Sequence, residues 1–77
     1  MPKMPVLKVR KVCRALERAG FVFARQSGSH VFYVKNEVGK EKLVVTVPNY
    51  DEIDRFLLKS ILKQSRLSLE EFLKLLR

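Results

Sequence analysis

One histidine, His30, directly follows Gly28 and Ser29 in a 77-residue chain that carries sixteen Lys and Arg against eight Asp and Glu. A neutral imidazole, with an ordinary pKa near 6.5, can take the proton of a ribose 2′-hydroxyl at neutral pH. The freed 2′-oxygen then attacks the adjacent phosphorus, and cations stabilise the charge growing on the phosphoryl oxygens. Arg25 and Lys35, expected on the strands flanking His30, are candidates for that role. Gly28 lets backbone come close to a substrate, and the N–H groups of Gly28 and Ser29 can bind phosphate. Such chemistry requires RNA, because DNA lacks the 2′-hydroxyl. A lone histidine at a strand end can also hydrogen-bond a carbonyl and do nothing else, and the local residues leave both readings open.

Other chemistries find less support. Cys13 is the only cysteine, so no disulfide forms within the chain, and one Cys with one His cannot build a four-ligand zinc site. No HExxH or DxD spacing occurs, so no metal and no cofactor are expected. Hydrophobic residues make up 47% of the chain, enough for a folded core, yet no apolar run approaches the roughly 18 residues that span a bilayer. Met1–Pro5 has a charge without an apolar stretch behind it, unlike a secretory signal. The length fits one domain over residues 1–77, and the expected setting is soluble and cytoplasmic.

The net charge is +8, and seven of those charges fall before residue 36. Positive potential concentrated in one part of a small domain attracts polyanions, nucleic acid first and an acidic protein second. Lys8, Lys11, Arg14 and Arg18 contribute most of it. They form either an RNA-binding surface or a solvated helix face.

The elements that must position these residues follow from periodicity. Val9, Val12, Cys13, Leu16 and Ala19 recur at helical spacing, predicting an amphipathic helix over about 7–19 that stops at Gly20. Phe21–Ala24, His30–Val34 and Leu43–Val47 are rich in aromatic and β-branched residues and read as strands. The first two are joined by a turn at 27–29 and the last two by a hairpin loop at 36–40, and Pro48 ends the third. Tyr33 and Phe32 point to opposite faces, so one joins the core while the other can stack on a base. Asn49 and Glu52 have capping-box spacing and predict a helix start there, with Ile53, Leu57, Leu58, Ile61 and Leu62 as its apolar face. Ser68 and Glu71 predict a second start. The expected fold is α+β: a three-stranded antiparallel sheet with helices on one face, the other face left to solvent or a partner.

Gly20-Phe21, Gly28-Ser29-His30, Thr46-Val47-Pro48, the run Leu58–Ser65, Leu67-Ser68 and Glu71-Phe72-Leu73 occur in this order and spacing. The set resembles the HicA family of mRNA interferase toxins over nearly the whole chain after residue 6. The resemblance implies a double-stranded-RNA-binding-like α-β-β-β-α fold, here with a short extra C-terminal helix. It also implies metal-independent endoribonuclease activity with His30 as catalyst, RNA as substrate and a HicB-like antitoxin as partner. Members of the family often carry a second His two residues after the Pro, where this chain has Tyr50. Tyrosine can stack on or hydrogen-bond RNA, but it titrates near 10 and cannot replace an imidazole as general acid at neutral pH. The alternative reading is therefore a non-catalytic RNA-binding module. The RNA-contacting residues expected in addition to His30 are Gly28, Ser29, Arg25, Lys35, Tyr33, Tyr50, Lys8, Lys11 and Arg14.

Overall fold

The computed structural model describes residues 6–36, 39 and 41–76. Its elements in chain order are β1 (Leu7–Lys8), α1 (Val9–Arg18), β2 (Val22–Ser27), β3 (His30–Lys35), β4 (Leu43–Pro48), β5 (Glu52–Ile53), α2 (Arg55–Ser65) and α3 (Leu69–Leu75). β2, β3 and β4 form an antiparallel sheet in sequence order with β3 central, and β1 pairs antiparallel with β5 in a separate small ladder. The expected α+β architecture is thus present, with helices packed on one face of a three-stranded antiparallel sheet.

Alternation along β3 decides which side chains meet the helices. Val31 and Tyr33 face the same way as their partners Val47 and Val45 on β4. They join Val12, Ala15 and Leu16 of α1, Leu58, Ile61 and Leu62 of α2, and Phe72 of α3 in one apolar cluster. Fully burying a Val, Leu, Ile or Phe side chain stabilises a fold by about 1.5–3 kcal/mol. His30, Phe32 and Val34 face the other way with Pro48, Thr46 and Val44, on the layer that no helix covers.

The helix starts differ from expectation in one place. Asn49 and Glu52 do not cap a helix: Glu52 and Ile53 pair with Lys8 and Leu7, and α2 begins two residues later. Asp54 is the cap, accepting the Leu57 N–H at 2.9 Å. Strand pairing takes the backbone that the capping box would have used, and Asp54 supplies a carboxylate at the right distance from the next helical turn. The capping box at Ser68 does form, with the Ser68 hydroxyl and Glu71 carboxylate each accepting the other's backbone N–H at 3.1 Å. Residues 37, 38 and 40 of the expected hairpin loop lie outside the described residues.

The two edges of the sheet are closed by different means. On β4, the outward Thr46 N–H donates to the side-chain oxygen of Gln64 from α2 at 2.9 Å. On β2, Phe23 pairs with Tyr33 and Arg25 with Phe32, leaving Ala24 as an inserted residue. That bulge kinks a strand whose six residues are all exposed.

Candidate active site

The site is built on the shortest connection in the sheet. Ser27 and His30 are cross-strand partners, so only Gly28 and Ser29 make the turn. Gly28 has φ +58°, the positive value required at the first central position of a II′ hairpin, where a side chain is strained. A Cβ at Gly28 would meet nothing within 4 Å, so glycine is there for its conformation and the space above it is open. The Ser29 carbonyl accepts the Asn49 N–H at 2.6 Å, and the Gln26 side-chain amide donates to the Gly28 carbonyl at 3.2 Å. The turn is therefore held from both sides.

His30 opens β3, is solvent-exposed and sits opposite Pro48 on the helix-free face. Two residues along, on the same face, is half-buried Phe32, with the Arg25 guanidinium 4.8 Å above its ring centroid. The alternation of β3 puts Phe32 about 7 Å from His30 along the strand, within the span of one nucleotide. Stacking on Phe32 holds the Arg25 charge beside the His30 edge of the face. Asn49, tied to Ser29, leads directly to Tyr50, a residue 53% exposed. Imidazole, guanidinium and aromatic ring thus share one open surface, with the glycine turn at its end.

Two expected site residues lie elsewhere. Tyr33 is in the core, 6% exposed, its ring packed edge-on against Phe23 at 6.2 Å. Its hydroxyl donates to the Cys13 sulfur; burial first, and then this bond, raises its pKa. Burial likewise raises the Cys13 thiol above its ordinary value. Tyr33 therefore cannot stack on a base, and Phe32 takes the open-face position. Lys35 is at the far end of the same strand, not on a flanking one, about 17 Å from His30 at the usual strand rise. It lies on the opposite face, its ammonium 5.8 Å from the centroid of the Phe21 ring. Neither residue contributes to the surface around His30.

Lys8, Lys11 and Arg14 occupy the helical layer instead. Lys8 pairs with Glu52 in the short ladder, and the Val9 N–H donates to the Asp51 carbonyl at 3.3 Å. The start of α1 is thereby tied to the same 49–51 segment that anchors the Ser29 turn. Arg10, which spacing alone does not single out, lines two surface hollows with these cations. Exposed Phe56, with the Arg55 guanidinium 5.2 Å from its ring centroid, is a further surface aromatic to which periodicity assigns no role. Its exposure breaks the apolar stripe of α2, and that mismatch is the signal available in the sequence.

Among the described residues no group of three or more His, Cys, Asp or Glu is placed to hold a metal ion, and no helix is long and apolar enough to cross a membrane. No curated protein sequence matches the chain. Residues 9–67 match the family described as the HicA toxin of bacterial toxin-antitoxin. That span contains the turn, His30, the whole sheet and α2. The chain belongs to the HicA toxin family.

Proposed function

We propose that this toxin is a metal-independent endoribonuclease that cuts mRNA, with His30 as general base, and that a HicB-like antitoxin neutralises it. The observation that carries the reading is the single open surface on which His30, the Arg25–Phe32 stack and the glycine turn meet. RNA laid on this face stacks a base on Phe32 or Tyr50 and sets a phosphate between Arg25 and the turn amides of Gly28 and Ser29. His30 takes the 2′-hydroxyl proton, and the 2′-oxygen forms a bond to phosphorus while the bond to the 5′-oxygen of the next nucleotide breaks. The departing 5′-oxygen takes a proton from solvent, which reaches this exposed site freely. The products are a 2′,3′-cyclic phosphate and a 5′-hydroxyl end. Arg25 and the turn amides stabilise the charge on the two non-bridging oxygens as the phosphorus becomes five-coordinate. Lys8, Lys11 and Arg14 add sequence-independent attraction for the backbone. The cytoplasm, where mRNA is available, is the compartment this activity requires.

The test is digestion of a defined RNA by the purified chain in excess EDTA, with the ends of the fragments identified. The expected result is undiminished cleavage leaving cyclic-phosphate ends. Cleavage abolished by the chelator, or fragments with 3′-hydroxyl ends, would sink the mechanism. RNA that is bound but left intact would favour the alternative, a non-catalytic RNA-binding module, which Tyr50 in place of the family's frequent second His keeps specific.

A further inference from the structure

α1 breaks the electrostatic rules that α2 and α3 follow. A helix start carries partial positive charge and favours acidic residues and capping side chains. α2 has the Asp54 cap, and α3 has the Ser68 box with Glu70 and Glu71 in its first turn. α1 has no side-chain cap and no acidic residue in its first turn, and places Lys8, Arg10 and Lys11 there instead. Cations gathered at that end disfavour the isolated helix and attract an anion.

These cations line a concavity. Arg10, Lys11, Arg14 and Arg18 face Leu75 and Leu76 at the end of α3 across a cavity of about 340 Å³, with no acidic residue among the lining. Helical geometry puts Arg10, Arg14 and Arg18 on one stripe at i, i+4 and i+8, with Lys11 beside it. Glu17, three residues after Arg14, borders the stripe on the side of Cys13 and Tyr33 and does not line the cavity. The Arg18 guanidinium donates to the Leu75 carbonyl at 2.8 Å and fixes the second wall of the groove. α3, which forms that wall, lies beyond the residues 9–67 that match the family. From Arg10 to Arg18 the stripe runs about 12 Å along the helix axis. At its Arg10 end a second hollow, lined by Lys8, Val9, Arg10 and Asp51, leads to the segment bonded to the Ser29 turn.

We propose that the groove between α1 and α3 is a second RNA site, holding backbone phosphates of the strand that His30 cleaves. It rests on the RNA-cleavage reading and extends it. Arg10, Lys11 and Arg14 meet successive phosphates, while Arg18 holds the wall. RNA leaves the groove past Lys8 and turns onto the sheet face at the His30 end. Long RNA engages both surfaces, and an oligonucleotide of four residues reaches only one. Charge complementarity favours a regular polyanion over an acidic protein here, because the cations repeat along one axis with few apolar neighbours to bury.

The experiment measures binding of 2′-O-methyl RNA oligonucleotides of four and twenty nucleotides, which have no free 2′-hydroxyl to react, across a salt titration. The compared proteins are wild type, R10A/K11A/R14A and R10K/R14K. All the substituted side chains are exposed, and thermal unfolding verifies that each variant is folded. For the triple variant, the slope of log affinity against log salt on the 20-mer falls by about two, since each phosphate neutralised on a single strand accounts for about 0.7. Its affinity for the 20-mer drops at least tenfold more than for the tetramer, and R10K/R14K retains the wild-type slope. An unchanged 20-mer slope, or equal losses on both lengths, overturns the groove while leaving cleavage at His30 intact. Tighter binding of poly-glutamate than of the 20-mer also overturns it, in favour of an acidic protein. Wild-type protein that binds neither RNA overturns the RNA reading itself, and the groove with it.

Discussion

The two faces of β3 differ as sharply as any two regions of this molecule. Val31 and Tyr33 are packed under α1 and α2, where van der Waals attraction and exclusion of water decide what fits. His30, Phe32 and Val34 alternate with them residue by residue and face outward, with Val22 of β2 and Val44 of β4 left 60% and 43% exposed beside them. A six-residue strand thus carries the fold on one side and the proposed chemistry on the other. The difference teaches that substitutions one position apart should report on different properties, stability at Val31 and Tyr33 and, on the proposed reading, activity at His30 and Phe32.

Tyr33→Ala gives the largest expected effect and falls on stability. Removing a buried aromatic ring costs about 3–5 kcal/mol, enough to unfold much of a domain this small, since total stabilities run about 5–15 kcal/mol. Chemical denaturation with the unfolding midpoint as readout checks it, and a midpoint near wild type would break the assignment of Tyr33 to the core. His30→Ala should lower the cleavage rate by about 10²–10⁴-fold, the usual contribution of general acid–base catalysis. Its melting temperature should stay near wild type, because the exposed side chain leaves no cavity. A variant that cuts RNA at the wild-type rate would end the case for His30 as the base.

Phe32→Ala sharpens the comparison, since it neighbours Tyr33 yet should weaken RNA binding more than folding. Loss of a stacked base costs about 1–3 kcal/mol of affinity, to be read by titration of a single-stranded oligonucleotide. The smallest effect lies away from β3. Ser68→Ala removes the α3 cap at a cost of about 1 kcal/mol of stability. The Glu71 carboxyl is held below its ordinary value by the Ser68 backbone and hydroxyl bonds. A carboxylate lowered on folding stabilises the native state above its unfolded pKa. That contribution is lost as pH falls from about 4.3 through the lower folded value. Acid melting curves should therefore show less pH dependence in Glu71→Gln than in wild type.

Much of this is legible in the residues. Helical spacing places α1, and the Ser68–Glu71 spacing places the start of α3, because local hydrogen bonds and one apolar stripe settle both. The turn before His30 is legible too, since glycine and serine between two β-branched runs leave few alternatives. The start of α2 is not, because whether Glu52 bonds to Asn49 or to Lys8 depends on a strand more than forty residues away. Alternation alone separates Tyr33 from Phe32 but does not choose between them. That choice needs the register that sets Tyr33 against Val45 and Phe32 against Thr46. Lys35 is misplaced by pattern because β-branched and aromatic residues stop at Val34, which hides its position at the remote end of the same strand.

The inserted Ala24 has a consequence for crowding. β2 is an outer strand, fully exposed, and carries Val22 and Phe23 at 60% and 55% exposure. A straight strand of that length and composition is a template on which a second polypeptide can zip. The bulge divides its regular pairing stretch into Val22–Phe23 and Arg25–Ser27, neither long enough to seed a stable intermolecular ladder. At Arg25, charge repels a like copy as well. Since Gln64 occupies the opposite margin at Thr46, the sheet can leave a greasy face uncovered without growing into a fibre.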